Sequence, residues 1–120
     1  MTVAGHRHER IAEEIHHEIS VMVAGELKDP RIAGMVTVTE VRVSPDLKLA
    51  RIFVSVMGME EEQASTLKGL IAASGFIRRE LGSRLRMRRS PELLFVLDRS
   101  EEYSQRIDQL LRETKKQPES

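Results

Sequence analysis

Cysteine and tryptophan are absent from this 120-residue chain, whose aromatic residues are three phenylalanines and one tyrosine. Without cysteine, the chain can form no disulfide bond, no thiolate nucleophile and no cysteine-based zinc site. The shortage of aromatic residues limits one way of binding RNA, because modules that grip unpaired bases stack them on aromatic rings. If the chain binds nucleic acid, we expect charge and shape to carry more of the binding than base stacking.

Long hydrophobic runs are also missing, and none approaches the ~20 residues that a membrane-spanning helix needs. The first residues lack the apolar segment of a secretory signal. The length suits one domain, which is large enough to bury a core without covalent cross-links. We therefore expect a soluble, cytoplasmic, monomeric protein that does not contact membranes.

Positive charge is concentrated in one stretch, although 19 basic residues balance 19 acidic residues over the whole chain. Between Arg78 and Arg89, six arginines stand against one acid, Glu80, which gives a local charge of +5 and leaves −5 for the rest. Arginine suits bidentate contacts with phosphate, and clustered phosphate contacts release counterions. The alternative is a solvated helix face paired with glutamates, which we disfavour because Glu80 is the one acid within the run.

The first half of the chain predicts a helix followed by a β-hairpin. Apolar residues at helical spacing indicate a helix from Glu9 that ends at Gly25 or at Asp29-Pro30. Two β-branched runs, 35–43 and 48–57, predict strands joined by the turn Ser44-Pro45-Asp46. The valines of the first run change parity near Glu40, and a β-bulge there would place all four on the core side.

The second half predicts two helices around a kink, a strand and a last helix. The kink falls at Ala73-Ser74-Gly75, and the apolar run Leu93–Leu97 predicts a strand buried on both faces. Ser100 is the predicted N-cap of the last helix. The order α-β-β-α-(kink)-α-β-α predicts a single α+β domain, a three-stranded sheet with helices packed on it. We assign residues 1–8 to a mobile arm, 9–113 to the domain and 114–120 to a flexible tail.

Several motifs in this order resemble the bacterial ribosome-binding factor A family. They are Asp29-Pro30-Arg31-Ile32, the Val36–Val43 pattern, Ala73-Ser74-Gly75 and Pro91-Glu92-Leu93. The resemblance implies a type II KH-like domain that binds the free 30S subunit and its 16S rRNA. It also implies a role in late subunit maturation, including processing of the rRNA 5′ end, and in growth at low temperature. Neither catalysis nor a cofactor is implied.

The Gly-x-x-Gly loop with which ordinary KH domains clamp the nucleic-acid backbone is missing from the sequence. Ala73-Ser74-Gly75 stands at the corresponding helix–helix junction. Glycine lets a helix kink or lets another backbone approach closely. The tripeptide is therefore either a purely structural kink or a kink that also meets RNA.

The predicted RNA-binding residues are those of the kink, the arginines that follow it and nearby basic residues. They are Lys68, Ala73, Ser74, Gly75, Arg78, Arg79, Arg84, Arg86, Arg88, Arg89, Arg7 and Arg10. Arg42 or Arg51 could extend this surface. His6, His8, His16 and His17 are interpreted as solvated side chains and not as metal ligands. Because no catalytic motif is present, the alternatives are a protein-interaction module without RNA or, less favoured, a nuclease.

Overall fold

Helix α1 (Arg7–Gly25) packs on the sheet and supplies much of the core. Ile15, Ile19 and Met22 are fully buried, as their spacing of three and four residues predicts. The computed structural model describes residues 7–32 and 36–116, with the backbone alone at residues 101, 102, 115 and 116. Helix α1 begins two residues before the predicted start, so part of the predicted arm is helical. Residues 1–6 of that arm lie outside the described residues.

Strands β1 (Val36–Val43) and β2 (Leu49–Val56) form the predicted antiparallel hairpin. Thr39 is skipped in the pairing, which marks a β-bulge between Val38 and Glu40. The bulge restores the phase of the valines, so all four of them pack towards the core. The predicted bulge and its effect are both confirmed.

A short 3-10 helix (Pro30–Ile32) follows α1 and lies against helix α2 (Glu60–Ala72). The Thr66 hydroxyl donates to the carbonyl of Arg31 at 3.0 Å. Ile32 packs so closely on Gly69 that a Cβ on this glycine would lie 2.9 Å from the Ile32 Cγ1 atom. The first of the four recognised motifs therefore fixes the position of α2, which is a structural role.

Helix α3 (Ser74–Arg84) follows α2 after one non-helical residue, Ala73, so the predicted kink is confirmed. Strand β3 (Glu92–Leu97) then pairs in parallel with β2 and completes a sheet of order β1-β2-β3. The predicted burial of β3 on both faces is wrong, because Leu94 is 47% exposed. Helices α1, α2 and α3 cover one face of the sheet, and Leu94 points to the other.

Helix α4 (Ser100–Lys116) extends past the predicted domain end at residue 113, and residues 117–120 lie outside the described part. Asp98, and not the predicted Ser100, supplies the capping carboxylate, which accepts from the Ser100 N–H at 2.9 Å. The expectation that every helix packs on the sheet is wrong for α4, whose described side chains are all exposed. Its apolar stripe consists of Tyr103, Ile107, Leu110 and Leu111.

The α+β class and the order of helices and strands are confirmed. No helix within the described ranges is both long enough and apolar enough to cross a bilayer.

Candidate RNA interface

The junction between α2 and α3 is a tight turn made by ordinary right-handed backbone. Ala73 has φ −86° and ψ −1°, and its N–H reaches the carbonyls of Gly69 at 3.0 Å and Leu70 at 3.1 Å. The α3 helix then starts at once, because the Ile77 N–H donates to the Ala73 carbonyl at 2.9 Å. No residue of the junction needs the left-handed conformation that favours glycine.

Gly75 follows in the first turn of α3, and its missing side chain leaves an open space. A Cβ built on Gly75 would have nothing within 4 Å. The packing of the described chain therefore does not require glycine at this position, although glycine lowers helix stability. The open site would instead let the backbone of another molecule come close to the helix.

Arg78 and Arg79 lie on α3, and both are exposed. The Arg78 Nη2 donates to the Ser90 carbonyl at 3.1 Å, while the Ser90 hydroxyl donates to the Arg78 carbonyl at 2.6 Å. This pair of bonds holds the loop after α3 against the helix. Because a carbonyl carries no net charge, Arg78 keeps its positive charge available.

Arg84, at the end of α3, is surrounded by three carboxylates. Its guanidinium lies 3.3 Å from Glu18, 3.1 Å from Glu80 and in contact with Glu26. The hydrogen bond with Glu26, followed by those with Glu18 and Glu80, raises the pKa of Arg84. The expectation of a single acid near the run holds along the chain but not in space, because folding brings α1 and its carboxylates alongside α3.

Arg86 ends the helix in a strained conformation. Its φ of 54° lies in the left-handed region, which favours glycine. The Met87 N–H donates to the Gly82 carbonyl at 2.9 Å, so Arg86 occupies the C′ position of a Schellman motif, where glycine is usual. The chain thus carries an arginine at a position where its backbone is disfavoured.

Arg88 and Arg89 follow in the loop between α3 and β3. Like Lys68, Arg79 and Arg86, both are exposed, and none of the five forms an ion pair with a carboxylate of the described residues. These five side chains and Arg78 are thus exposed positive charges without a carboxylate partner among the described residues, carried by α2, α3 and the loop. We call these six residues the basic surface.

Arg7 and Arg10 lie in the first turns of α1, where both are exposed. The other end of α1 leads to the kink, since Leu27 and Lys28 line a groove together with Ala73 and Phe76. A helix of 19 residues is about 27 Å long. The structure therefore does not bring Arg7 and Arg10 together with the kink.

The histidines lie outside the basic surface, and His16 has a structural role. The Nε2 of His16 lies 2.8 Å from the Val38 carbonyl, so His16 donates there and ties α1 to the β-bulge. Among the described residues, no group of three or more possible metal ligands is found.

Two features escaped sequence reasoning. One is the pairing of Arg84 with Glu18 and Glu26, which lie 66 and 58 residues away along the chain. The other is an apolar groove of about 280 Å³ beside the kink, lined by Leu27, Ala73 and Phe76 among others. Neither leaves a local signal, because both depend on how α1 packs against α3.

Comparisons with known proteins agree with this architecture. The profile of the family described as ribosome-binding factor A matches residues 7–111. A ribosome-binding factor A from Acetivibrio thermocellus is 51% identical over 111 residues, which cover 92% of this chain and 90% of that protein. The crystal structure of ribosome-binding factor A from Thermus thermophilus superposes with a TM-score of 0.66 at 28% identity, covering 75% of this chain and 93% of that one.

A homology model of the Thermus thermophilus ribosome-binding factor A was fitted into the cryo-EM map of a complex with the 30S subunit. It superposes with a TM-score of 0.57 at 30% identity and covers 80% of this chain and 96% of that one. The extent of the profile match and the identity to the Acetivibrio protein together show that this chain belongs to the ribosome-binding factor A family.

Proposed function

We propose that this chain binds the maturing 30S subunit through its 16S rRNA and assists late maturation, including processing of the rRNA 5′ end. The chain acts as a cytoplasmic monomer, by occupying rRNA and leaving when the subunit is complete. It makes and breaks no bond and needs no cofactor. The same activity underlies a role in growth at low temperature.

The observation that carries this proposal is the basic surface. Arg79, Arg86, Arg88 and Arg89 are exposed and have no carboxylate partner in the described chain. A solvated surface gains nothing from keeping four like charges together, whereas a phosphate backbone compensates all of them. The complex between the Thermus relative and the 30S subunit supports the choice of the small subunit as the partner.

The kink gives the contact its shape. Gly75 leaves open space beside the start of α3, and Lys68 precedes the kink on α2. An RNA backbone that approaches at Gly75 can continue along Arg78 and Arg79 to the loop. Recognition by this route depends on shape and charge and requires no base stacking.

The first test is sedimentation of tagged chain from cell extract on a sucrose gradient. We expect it to migrate with free 30S subunits and not with complete ribosomes. A uniform distribution, or none on ribosomal particles, would contradict the proposal. With purified chain and precursor 16S rRNA, the association constant should fall with salt at a log–log slope of about −3, since four phosphate contacts contribute ~0.7–0.9 each.

The absence of catalysis is tested on the same RNA. Purified chain incubated with precursor 16S rRNA should leave its length unchanged on a denaturing gel. Shortening of the precursor by the chain alone would show that it is a nuclease.

A second candidate is a protein-interaction module, and helix α4 is the feature that favours it. Tyr103 is 67% exposed, and Leu110 and Leu111 are more than half exposed, so the helix presents an uncovered apolar stripe. This candidate predicts that replacing the arginines of the loop leaves 30S association intact. It also predicts that replacing Leu110 and Leu111 by serine abolishes that association.

A further inference from the structure

The face of the sheet that α1, α2 and α3 leave uncovered combines charged, aromatic and aliphatic side chains. We call it the open face. On β2 the residues that alternate with the buried ones are Leu49, Arg51, Phe53 and Ser55. Their cross-strand partners share the face: Glu40 and Arg42 of β1, and Glu92, Leu94 and Val96 of β3. The open face therefore has arginines and an aromatic ring at its centre.

Arg42 and Arg51 stand directly opposite each other in the β1–β2 register. Like charges at directly opposed positions of an antiparallel pair are destabilising. Glu40 holds Arg42 through an ion pair at 2.5 Å, whereas Arg51 has no carboxylate partner in the part of the chain that the structure describes. An anion seated between the two arginines would relieve their repulsion.

Phe53 lies beside this pair, with the Arg42 guanidinium carbon 5.8 Å from the centre of its ring. On its other side stands Val96, its partner in β3, and Leu94 stands in the same way beside Arg51. Aromatic rings and guanidinium planes are the groups on which unpaired bases stack. Phe53 and Arg42 thus offer a stacking platform that is bordered by Val96 on the β3 side and by Glu40 on the β1 side.

The loop of the basic surface joins the sheet at one end of the open face. The loop that carries Arg88 and Arg89 leads into β3, where the Glu92 N–H donates to the Lys48 carbonyl at 2.8 Å. Arg51 is the partner of Leu94, two residues into the strand. At a rise of about 3.3 Å per residue, Arg51 lies roughly 7 Å from the end of the sheet at which the loop enters β3.

We propose that the open face binds an unpaired segment of RNA that continues from the loop, with its phosphates at Arg51 and Arg42 and one base stacked on the Phe53–Arg42 platform. This second contact rests on the proposed function, since it extends the same RNA path. Charge decides the class of ligand: Arg51 lacks a counter-charge, and the basic loop leads onto the face. The carboxylates of Glu40 and Glu92 repel phosphate, so we expect no phosphate contact beside these two residues.

The test uses a double variant, Arg42→Thr with Arg51→Thr, and an unstructured oligouridine as the probe. Threonine suits an exposed strand position, so the fold should be kept and the melting temperature should stay equal or rise. We expect weaker binding, and a salt slope less steep by about 1.4, because two contacts to a single strand contribute ~0.7 each. The matched control, Arg106→Thr with Arg112→Thr on α4, removes the same charge and should leave both the affinity and the salt slope unchanged.

Stacking is tested with Phe53→Trp, which gives the chain a single fluorescent indole. Oligouridine should quench this fluorescence, and Phe53→Leu should bind about tenfold more weakly, in line with ~1–3 kcal/mol per stacked base. Unaltered affinity and slope in the double variant together with unquenched fluorescence would overturn the inference. Quenching by 30S subunits but not by naked RNA would also overturn it, since the face would then meet a protein.

Failure of this inference is distinguishable from failure of the proposed function. If substitutions in the loop abolish 30S association while the Arg42 and Arg51 variant binds normally, the proposed function stands and the second contact is refuted. If the loop substitutions have no effect either, both are refuted.

Discussion

Two neighbouring parts of the arginine-rich stretch have different surroundings: the end of α3 and the loop that follows it. Arg84 is enclosed by Glu18, Glu26 and Glu80, so its charge is used within the fold. Arg86, two residues later, is exposed and holds a backbone conformation that arginine disfavours. The difference shows that charge counted along a chain overstates the charge that a partner can meet. Arg84 acts on the fold, and the loop arginines are the ones that remain available to the RNA that we propose as partner.

The largest effect should come from the loop. Changing Arg86, Arg88 and Arg89 to alanine together should lower the affinity for 30S subunits roughly 100-fold, because three contacts worth about fivefold each multiply. The melting temperature should change little, since these side chains make no ion pair with described residues. The measurement is titration of labelled chain with purified 30S subunits, and affinity within twofold of the wild type would contradict the assignment.

The second largest effect is expected at Arg84, where a substitution should change stability and not binding. Arg84→Ala should lower the melting temperature more than any loop variant does, because it leaves three carboxylates facing one another without a counter-charge. Arg84→Lys should lower it less, since lysine keeps the charge but loses the forked geometry. Thermal unfolding followed by circular dichroism measures both. If Arg84→Ala melts like the wild type but binds 30S subunits poorly, the comparison between the two regions is wrong.

A third substitution separates stability from binding at one residue. Arg86→Gly should stabilise the fold by about 0.5–1 kcal/mol, because glycine adopts a positive φ without strain. The same change should weaken 30S binding about fivefold through the loss of one charge contact. Denaturant unfolding and 30S titration on the same preparation measure the two effects. A variant that is less stable than the wild type would show that the Arg86 side chain serves the fold.

The smallest effect involves Arg31, which also has a carboxylate partner. Its guanidinium donates to Asp29 at 2.6 Å, and this bonding lowers the pKa of Asp29 to about 2. Since the pKa is lower in the folded state, the stabilisation is present above pH ~4, the unfolded value, and is lost as the pH falls towards 2. Asp29→Asn should therefore be less stable than the wild type at pH 6, and the difference should shrink below pH 4. A constant difference across this range, measured by urea unfolding, would refute the linkage.

Local pattern was enough to predict most of the fold. The parity change of the valines of β1 predicted a bulge near Glu40, and the structure has it at Thr39, because burial of one sheet face requires a fixed phase. The kink at Ala73 and the hairpin also follow from residues close together in sequence. These features depend on short-range backbone rules, which a single sequence contains.

What could not be predicted depends on packing between distant segments. The enclosure of Arg84 requires α1 to lie beside α3, and the exposure of Leu94 requires that α4 not cover the sheet. An apolar run such as that of β3 is compatible with burial on one face of the sheet or on both faces. The basic stretch could therefore be found from the sequence as a candidate site, while the separation of structural from available arginines needed the structure.

The most direct test of the central claim, that RNA approaches the kink, is a single added methyl group. Gly75→Ala should raise the melting temperature, because alanine is worth up to about 1 kcal/mol more than glycine in a helix and its Cβ meets nothing within 4 Å. It should at the same time weaken 30S binding, whereas Gly25→Ala, an equally open glycine at the end of α1, should leave binding unchanged. A Gly75→Ala variant that melts higher and binds 30S subunits like the wild type would show that the kink serves the fold alone.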